Sequence, residues 1–313
     1  MRPTRLFLAL LALLGTACAT TAREVLASTS SSAAVAEQRA FLWEVTRPGA
    51  PDKPLYLTGS VHMGRPGQFV FPPSLEAALA RSQALVVELD PAKVAPRKAQ
   101  QLLMLLGLYT PPDTLSAHLS PETRALLPEA LQRVGLSPET VERMRPWFVF
   151  MTLSVLELQK AGYSEAGGID RLLLNRAQAG NKAIVELETI EGQLRMLASF
   201  SDEVQDLMLR EQLQGAAQMA TSMARMATAW EGGNPEALSQ LLFEQKDDPA
   251  YRPFYEALFY ARNRQMADQL VALFDKPETH FVVVGAGHVV GEQGLLDLLA
   301  RRGFQVRQLP REP

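Results

Sequence analysis

The chain has 313 residues, of which 47% are hydrophobic and 21% charged, enough apolar matter for a sizeable core in one large domain or two small ones, so it is not a disordered protein. Its net charge of −3 at pH 7 comes with scattered basic residues and leaves no electrostatic footprint for nucleic acid. The first element in chain order is an export signal over residues 1–18. Met1-Arg2-Pro3-Thr4-Arg5 is positive, Leu6 to Leu14 is apolar, and small residues end in Ala17-Cys18. The apolar stretch is too short to cross a bilayer core of about 30 Å, and no later segment offers about 20 uninterrupted apolar residues, so no transmembrane helix is expected.

Cys18 is the only cysteine and stands where a bacterial lipoprotein signal is cleaved and lipidated. Gly15 departs from the Leu that such a signal prefers, and an ordinary cut near Ala17 or Ala19 is the alternative. With Ala19 next, the expected place is the outer membrane facing the periplasm, held through an N-terminal lipid anchor, or otherwise the periplasm or the medium. The rest of the chain can form no disulfide, so packing must stabilise it. Residues 19–38, rich in Ala, Ser and Thr, suit a flexible tether, and residues 39–313 suit the folded body.

Phe41-Leu42-Trp43-Glu44-Val45 reads as a first strand, Pro48 to Pro54 as a turn, and Leu55 to Thr58 as an antiparallel partner leading into His62. Pro72-Pro73-Ser74 opens a helix to about Ser82, and the apolar, β-branched run Ala84-Leu85-Val86-Val87-Glu88 reads as a buried strand with an acid at its mouth. From 96 to about 275 the pattern turns helical. Start signals stand at Ser120-Pro121-Glu122, Ser137-Pro138-Glu139 and Asn234-Pro235-Glu236. One further strand is expected at Ala183 to Glu186, after a helix from Ile169 to Ala179. The end returns to a strand at His280 to Val284, a helix from about Gln293 to Arg302 and a last strand at Gln305 to Leu309. The expected class is α/β, a mixed sheet flanked by helices with a large helical insertion between the N- and C-terminal sheet elements.

Gly59-Ser60-Val61-His62 and Gly285-Ala286-Gly287-His288 each close a strand-like run, so two of the four histidines occupy equivalent positions. If the two strands lie parallel, each glycine permits a sharp turn at the strand's carboxyl end, where open α/β sheets place ligands. With Glu88, His62 and His288 make a plausible divalent-metal shell with open positions. A lone histidine near a strand is more often structural, and the pairing is what favours a site. Asp90 competes with Glu88 but precedes Pro91 and reads as a turn residue. His118 and His280 read as surface or structural, and Met208, Met219, Met223 and Met226 as helix-packing filler. Gly285, Gly287 and Gly291 lack both the spacing and the acid of a dinucleotide site, so no nucleotide cofactor is expected. No serine elbow, His-Glu-x-x-His or P-loop is present.

These residues resemble the TraB/PrgY/GumN family, whose animal relatives include the Tiki membrane metalloproteases. The likeness runs from about Phe41 to Leu309. It rests on the first strand, on Leu55 through Gly64, on Val86-Val87-Glu88-Leu89, Arg145-Pro146-Trp147, Gly168-Ile169-Asp170 and Leu187-Glu188-Thr189 through Gln193, and on Arg262-Asn263 and Gly285-Ala286-Gly287-His288. The resemblance implies a fold like the erythromycin-esterase and ChaN-like α/β proteins. It further implies divalent-metal-dependent peptide cleavage carried by Gly59, His62, Gly285, His288 and Glu88, with substrate or second-layer contacts from Arg262, Asn263 and Gly287. One departure is Ala261, where many relatives carry an acid. The expected protein is an exported hydrolase, a peptidase acting through water activated by Mn, Co or Zn on a peptide or protein substrate. In it Glu88 is a ligand or the general base, and Arg262 stabilises the oxyanion. The alternatives are an envelope lipoprotein that binds metal, haem or a peptide signal without chemistry, and a scaffold offering the helices from Ser201 to Trp230 to a partner.

Overall fold

The computed structural model describes residues 38–313, so the export signal, Cys18 and the tether up to residue 37 lie outside the described residues. Six strands form one mixed sheet: β1 (Arg39–Arg47), β2 (Ala50–Ser60), β3 (Ala84–Val87), β4 (Ala183–Glu186), β5 (His280–Gly285) and β6 (Gln305–Pro310), in the order β4-β3-β5-β2-β1-β6. β4, β3, β5 and β2 run parallel, whereas β1 is antiparallel to both β2 and β6. β3 and β5 are buried at every residue. Central strands covered on both faces need unbroken apolar runs, which Ala84–Val87 and Phe281–Val284 supply.

The residues expected to form the turn before β2 are largely strand. β2 begins at Ala50, which pairs with Arg47, and the register shifts between Val45 and Arg47. Gly49, at φ +81, makes the tight reversal. Pro51 and Pro54 fall within β2, as proline is tolerated near a strand's start and beside a bulge.

The helices are α1 (Pro73–Arg81), α2 (Pro96–Gly107), α3 (Pro121–Val134), α4 (Pro146–Lys160), α5 (Ile169–Ala179), α6 (Ile190–Ala198), α7 (Asp202–Gly215), α8 (Met219–Glu231), α9 (Pro235–Leu242), α10 (Ala261–Leu273) and α11 (Leu295–Arg301), with shorter helical turns between them. α1, α2, α3, α4 and α9 each begin on a proline. There the missing N–H costs nothing and the fixed φ favours the first turn. Ser120 and Asn234 also cap α3 and α9 through their side chains. The Ser137-Pro138-Glu139 signal produces only a four-residue turn, Pro138–Val141, because Met144 is drawn into a bridge with Leu108 and Arg145 and Pro146 start α4. Met208, Met219, Met223 and Met226 are all buried, so that face of α7 and α8 belongs to the core. The helices between β3 and β5 place α4 against α3 and α7, and α2 against α6.

Candidate functional site

Sheet register brings the candidate residues together. Ser60 lies opposite Gly285 across β2 and β5, and Val87 lies opposite Val283 across β3 and β5. The three central strands therefore end side by side, and His62, Glu88 and His288 leave from neighbouring carboxyl ends. That is where an open parallel sheet exposes its crevice. All three side chains are buried.

The glycines serve this arrangement differently from expectation. Gly285 has φ −50, and neither Gly59 nor Gly287 is in the left-handed region, so no turn there depends on glycine's freedom. Close approach is the reason at two of them. A Cβ on Gly59 would lie 2.6 Å from the Phe41 ring and 2.8 Å from the Ala286 Cα, and one on Gly287 would lie 2.4 Å from the Phe259 ring.

Glu88 Oε1 stands 4.0 Å from His62 Nε2 and 3.9 Å from His288 Nε2. Both Nε2 atoms are buried and have no hydrogen-bond partner. Each ring is oriented from its other nitrogen. His62 Nδ1 lies 3.1 Å from Asp170 Oδ2, and Asp170 Oδ1 accepts from Ser60 Oγ at 2.7 Å. His288 Nδ1 lies 2.6 Å from Asn263 Oδ1, while Asn263 Nδ2 donates to the Gln293 carbonyl at 2.8 Å. Both partners are acceptors, so each Nδ1 carries the proton and, in the neutral ring, each Nε2 presents a lone pair.

Glu88 is held from both sides. The Gly285 N–H donates to Oε1 at 2.5 Å, and Oε2 accepts from Arg262 Nη2 at 3.1 Å and from Gln193 Nε2 at 3.4 Å. Arg262 in turn meets Glu188 through Nε at 2.7 Å and Nη2 at 2.5 Å, and the Leu258 carbonyl through Nη1 at 2.7 Å. These contacts commit Nε, Nη1 and Nη2 to the protein, so Arg262 orients Glu88 and is not poised as a free donor for an oxyanion. A π-helical segment, Glu256–Tyr260, leads into α10 and aims both Arg262 and Asn263 at the sheet.

Burial pushes the Glu88 carboxyl above its ordinary range, against the pull of Arg262 and His62. Burial also lowers the His288 pKa well below the usual imidazole value, helped by the Arg262 charge and then His62. At His62 burial acts in the same sense, but the charge and hydrogen bond of Asp170, with Glu88, raise the pKa overall. Burial works against ionising Asp170, yet His62 and Ser60 hold it low. Burial thus acts on both imidazoles, offset at His62 by Asp170 and Glu88 and reinforced at His288 by Arg262.

Among the described residues, no group of three or more His, Cys, Asp or Glu side chains is placed so that it could hold a metal ion. The separations of 4.0 and 3.9 Å exceed by about half an ångström the ~3.4 Å between neighbouring ligands of a tetrahedral ion bound at about 2.1 Å. The donor chemistry nonetheless fits a divalent ion. Two unpartnered imidazole nitrogens face one carboxylate oxygen, and each ring is fixed behind by its own acceptor.

Asp170, Ser60, Glu188 and Gln193 were absent from the expected site. All four fell inside motifs quoted for the family likeness, which was the available signal. Asp170 is delivered by glycine packing: a Cβ on Gly168 would lie 2.2 Å from the His62 carbonyl oxygen, and the Ile169 N–H donates to the Val61 carbonyl. Asp90 accepts from the Ala92 N–H as a turn residue. His118 bridges Asp113 and Asp202, and His280 is buried at the start of β5.

The chain is 28% identical to the uncharacterized protein YbaP of Escherichia coli over 82% of this chain and 90% of that protein. It is 27% identical to metalloprotease TIKI1 of Danio rerio over 86% of this chain and 63% of that protein, and 28% identical to metalloprotease TIKI2 of the same fish over 88% and 62%. No solved structure matches it. Residues 41–308 match the TraB/PrgY/gumN family model, and the chain therefore belongs to the TraB/PrgY/gumN family.

Proposed function

We propose that this chain is an exported, divalent-metal-dependent hydrolase, a peptidase that uses Mn, Co or Zn. The observation that carries the reading is the pair of buried, unpartnered Nε2 atoms on His62 and His288 facing Glu88 Oε1. The relatives named metalloproteases support it, and the basic-apolar-small order of residues 1–18 supports export.

His62 and His288 would hold the ion through Nε2, with Glu88 as third ligand or as general base. When bound, such an ion polarises a carbonyl and lowers the pKa of water toward ~7. Asp170 and Asn263 keep both imidazoles in the tautomer that presents Nε2. Arg262 and the Gly285 N–H fix the Glu88 carboxylate, whose pKa burial raises. A carboxylate so placed can accept a proton from attacking water and return it to a leaving amine. The low-dielectric surroundings strengthen the attraction between the Arg262 and Glu88 charges.

The test is metal analysis of the full-length protein and of its His62→Ala and His288→Ala variants after reconstitution with each metal, followed by a peptide-library cleavage assay. The expected result is about one equivalent bound by the parent and lost in both variants, with metal-dependent cleavage by the parent alone. Cleavage retained in both variants would sink the proposal.

A further inference from the structure

A cavity of about 350 Å³ opens on the site, with His62, Glu88 and Asp170 in its lining. Most of the remaining wall is apolar, including Leu103 from α2, Phe148 and Met151 from α4, Leu174 from α5, and Leu194 and Leu197 from α6. Its volume lies near the lower end of ligand sites, roughly 300–1000 Å³, so it accommodates one or two residues of a peptide and not a long segment. Three acids and one arginine join His62, Thr152 and Gln193 in the polar part of this wall. Glu88 is engaged by Arg262 and Gly285, Asp170 by His62 and Ser60, and Glu165 has a partner of its own. Arg171, adjacent in sequence to Asp170 in the first turn of α5, also lines the cavity and makes no ion pair or side-chain hydrogen bond with the described residues. An apolar chamber with the uncommitted Arg171 and the His62 imidazole in its wall is complementary to a ligand that is apolar and singly anionic.

We infer that the cavity takes the C-terminal residue of a peptide, its large apolar side chain among Phe148, Met151 and Leu194 and its α-carboxylate on Arg171. The peptide bond preceding that residue then lies at His62 and Glu88, the two members of the site that line the cavity. This rests on the hydrolase reading and names its substrate class. Water adds to the carbonyl carbon, the C–N bond breaks, and the proton lost by water goes to the leaving amine. The products are a shortened peptide and a free apolar amino acid.

The assay is calorimetric titration of the metal-free, full-length protein with acetyl-Ala-Phe as the free acid, the same peptide as its amide, and acetyl-Ala-Ser as the free acid. The free Phe acid is expected to bind about tenfold or more tighter than either of the others. Arg171→Gln should erase the preference for acid over amide while keeping Phe over Ser, and Leu194→Trp, which fills the chamber, should do the reverse. Equal binding of acid and amide, no binding of any peptide, or preferences unmoved in both variants would overturn the assignment. Adding Mn, Co or Zn and measuring phenylalanine release separates the two readings. Selective binding without release sinks the hydrolase and leaves the cavity assignment standing, whereas metal-dependent cleavage of the amide as fast as the acid does the opposite.

Discussion

Glu188→Gln tests the idea that Arg262 is a buried positioning charge. Arg262 is 7% exposed at its side chain, Glu188 is 15% and Glu88 7%. Glu188 supplies both oxygens to the guanidinium, at 2.7 and 2.5 Å, and Gln193 Nε2 also donates to it at 2.8 Å. The amide keeps the shape but removes the charge, turns one of those acceptors into a donor facing Arg262 or Gln193, and leaves Glu88 as the remaining counter-charge. Breaking a buried pair from one side costs about 3–5 kcal/mol. Because Glu88 remains, the lower figure, about 3 kcal/mol, is expected. For a chain of this size each kcal/mol moves Tm by roughly 2–4 °C, so Tm should fall by roughly 6–12 °C. Glu256→Gln is the control. It pairs with Arg264, both partners are nearly half exposed, and such pairs contribute about 0–1 kcal/mol. Urea unfolding followed by circular dichroism compares the two. If Glu188→Gln proves no more destabilising than Glu256→Gln, Arg262 is not held as described.

A Gly287→Ala variant should lose about 1–3 kcal/mol, because its Cβ meets the Phe259 ring at 2.4 Å. The Phe259 ring lies 5.3 Å from that of His288, so metal uptake should weaken with it, and uptake at parental affinity would contradict the packing argument. The His118 clamp predicts a pH dependence of stability. Burial works against its charge, but Asp202 and Asp113 together raise the His118 pKa. The protonated form therefore stabilises the fold fully below the unfolded value near 6.5, and this contribution is lost as pH rises through the raised folded value. A plot of Tm against pH above 6.5 should slope downward in the parent and less so in His118→Gln, and parallel slopes would remove the clamp from the account.

Local pieces of the fold are legible in the order of the residues. The runs Ala84 to Val87 and Phe281 to Val284 read as buried strands, and Ser120-Pro121 and Asn234-Pro235 as helix starts, because such preferences are set by near neighbours, whereas the same signal at Ser137-Pro138 gave only one turn. Two Gly-x-x-His copies after equivalent apolar runs also marked His62 and His288, and the acid closing β3 marked Glu88. Tertiary structure decided what those residues meet. That β5 lies between β2 and β3, in a register that aligns Ser60 with Gly285, follows from pairings between segments far apart in the chain, which no local pattern encodes. The same is true of Asp170 behind His62 and of Glu188 on Arg262. Gly59 read as a turn residue in one dimension and Gly287 as a substrate or second-layer contact, yet in three they are gaps that let Phe41, Ala286 and Phe259 close in. Arg262 read as a donor for substrate until folding surrounded it with two carboxylates and a carbonyl. Charge and hydrogen-bond partners are properties of distance in space, and only the folded chain sets those distances.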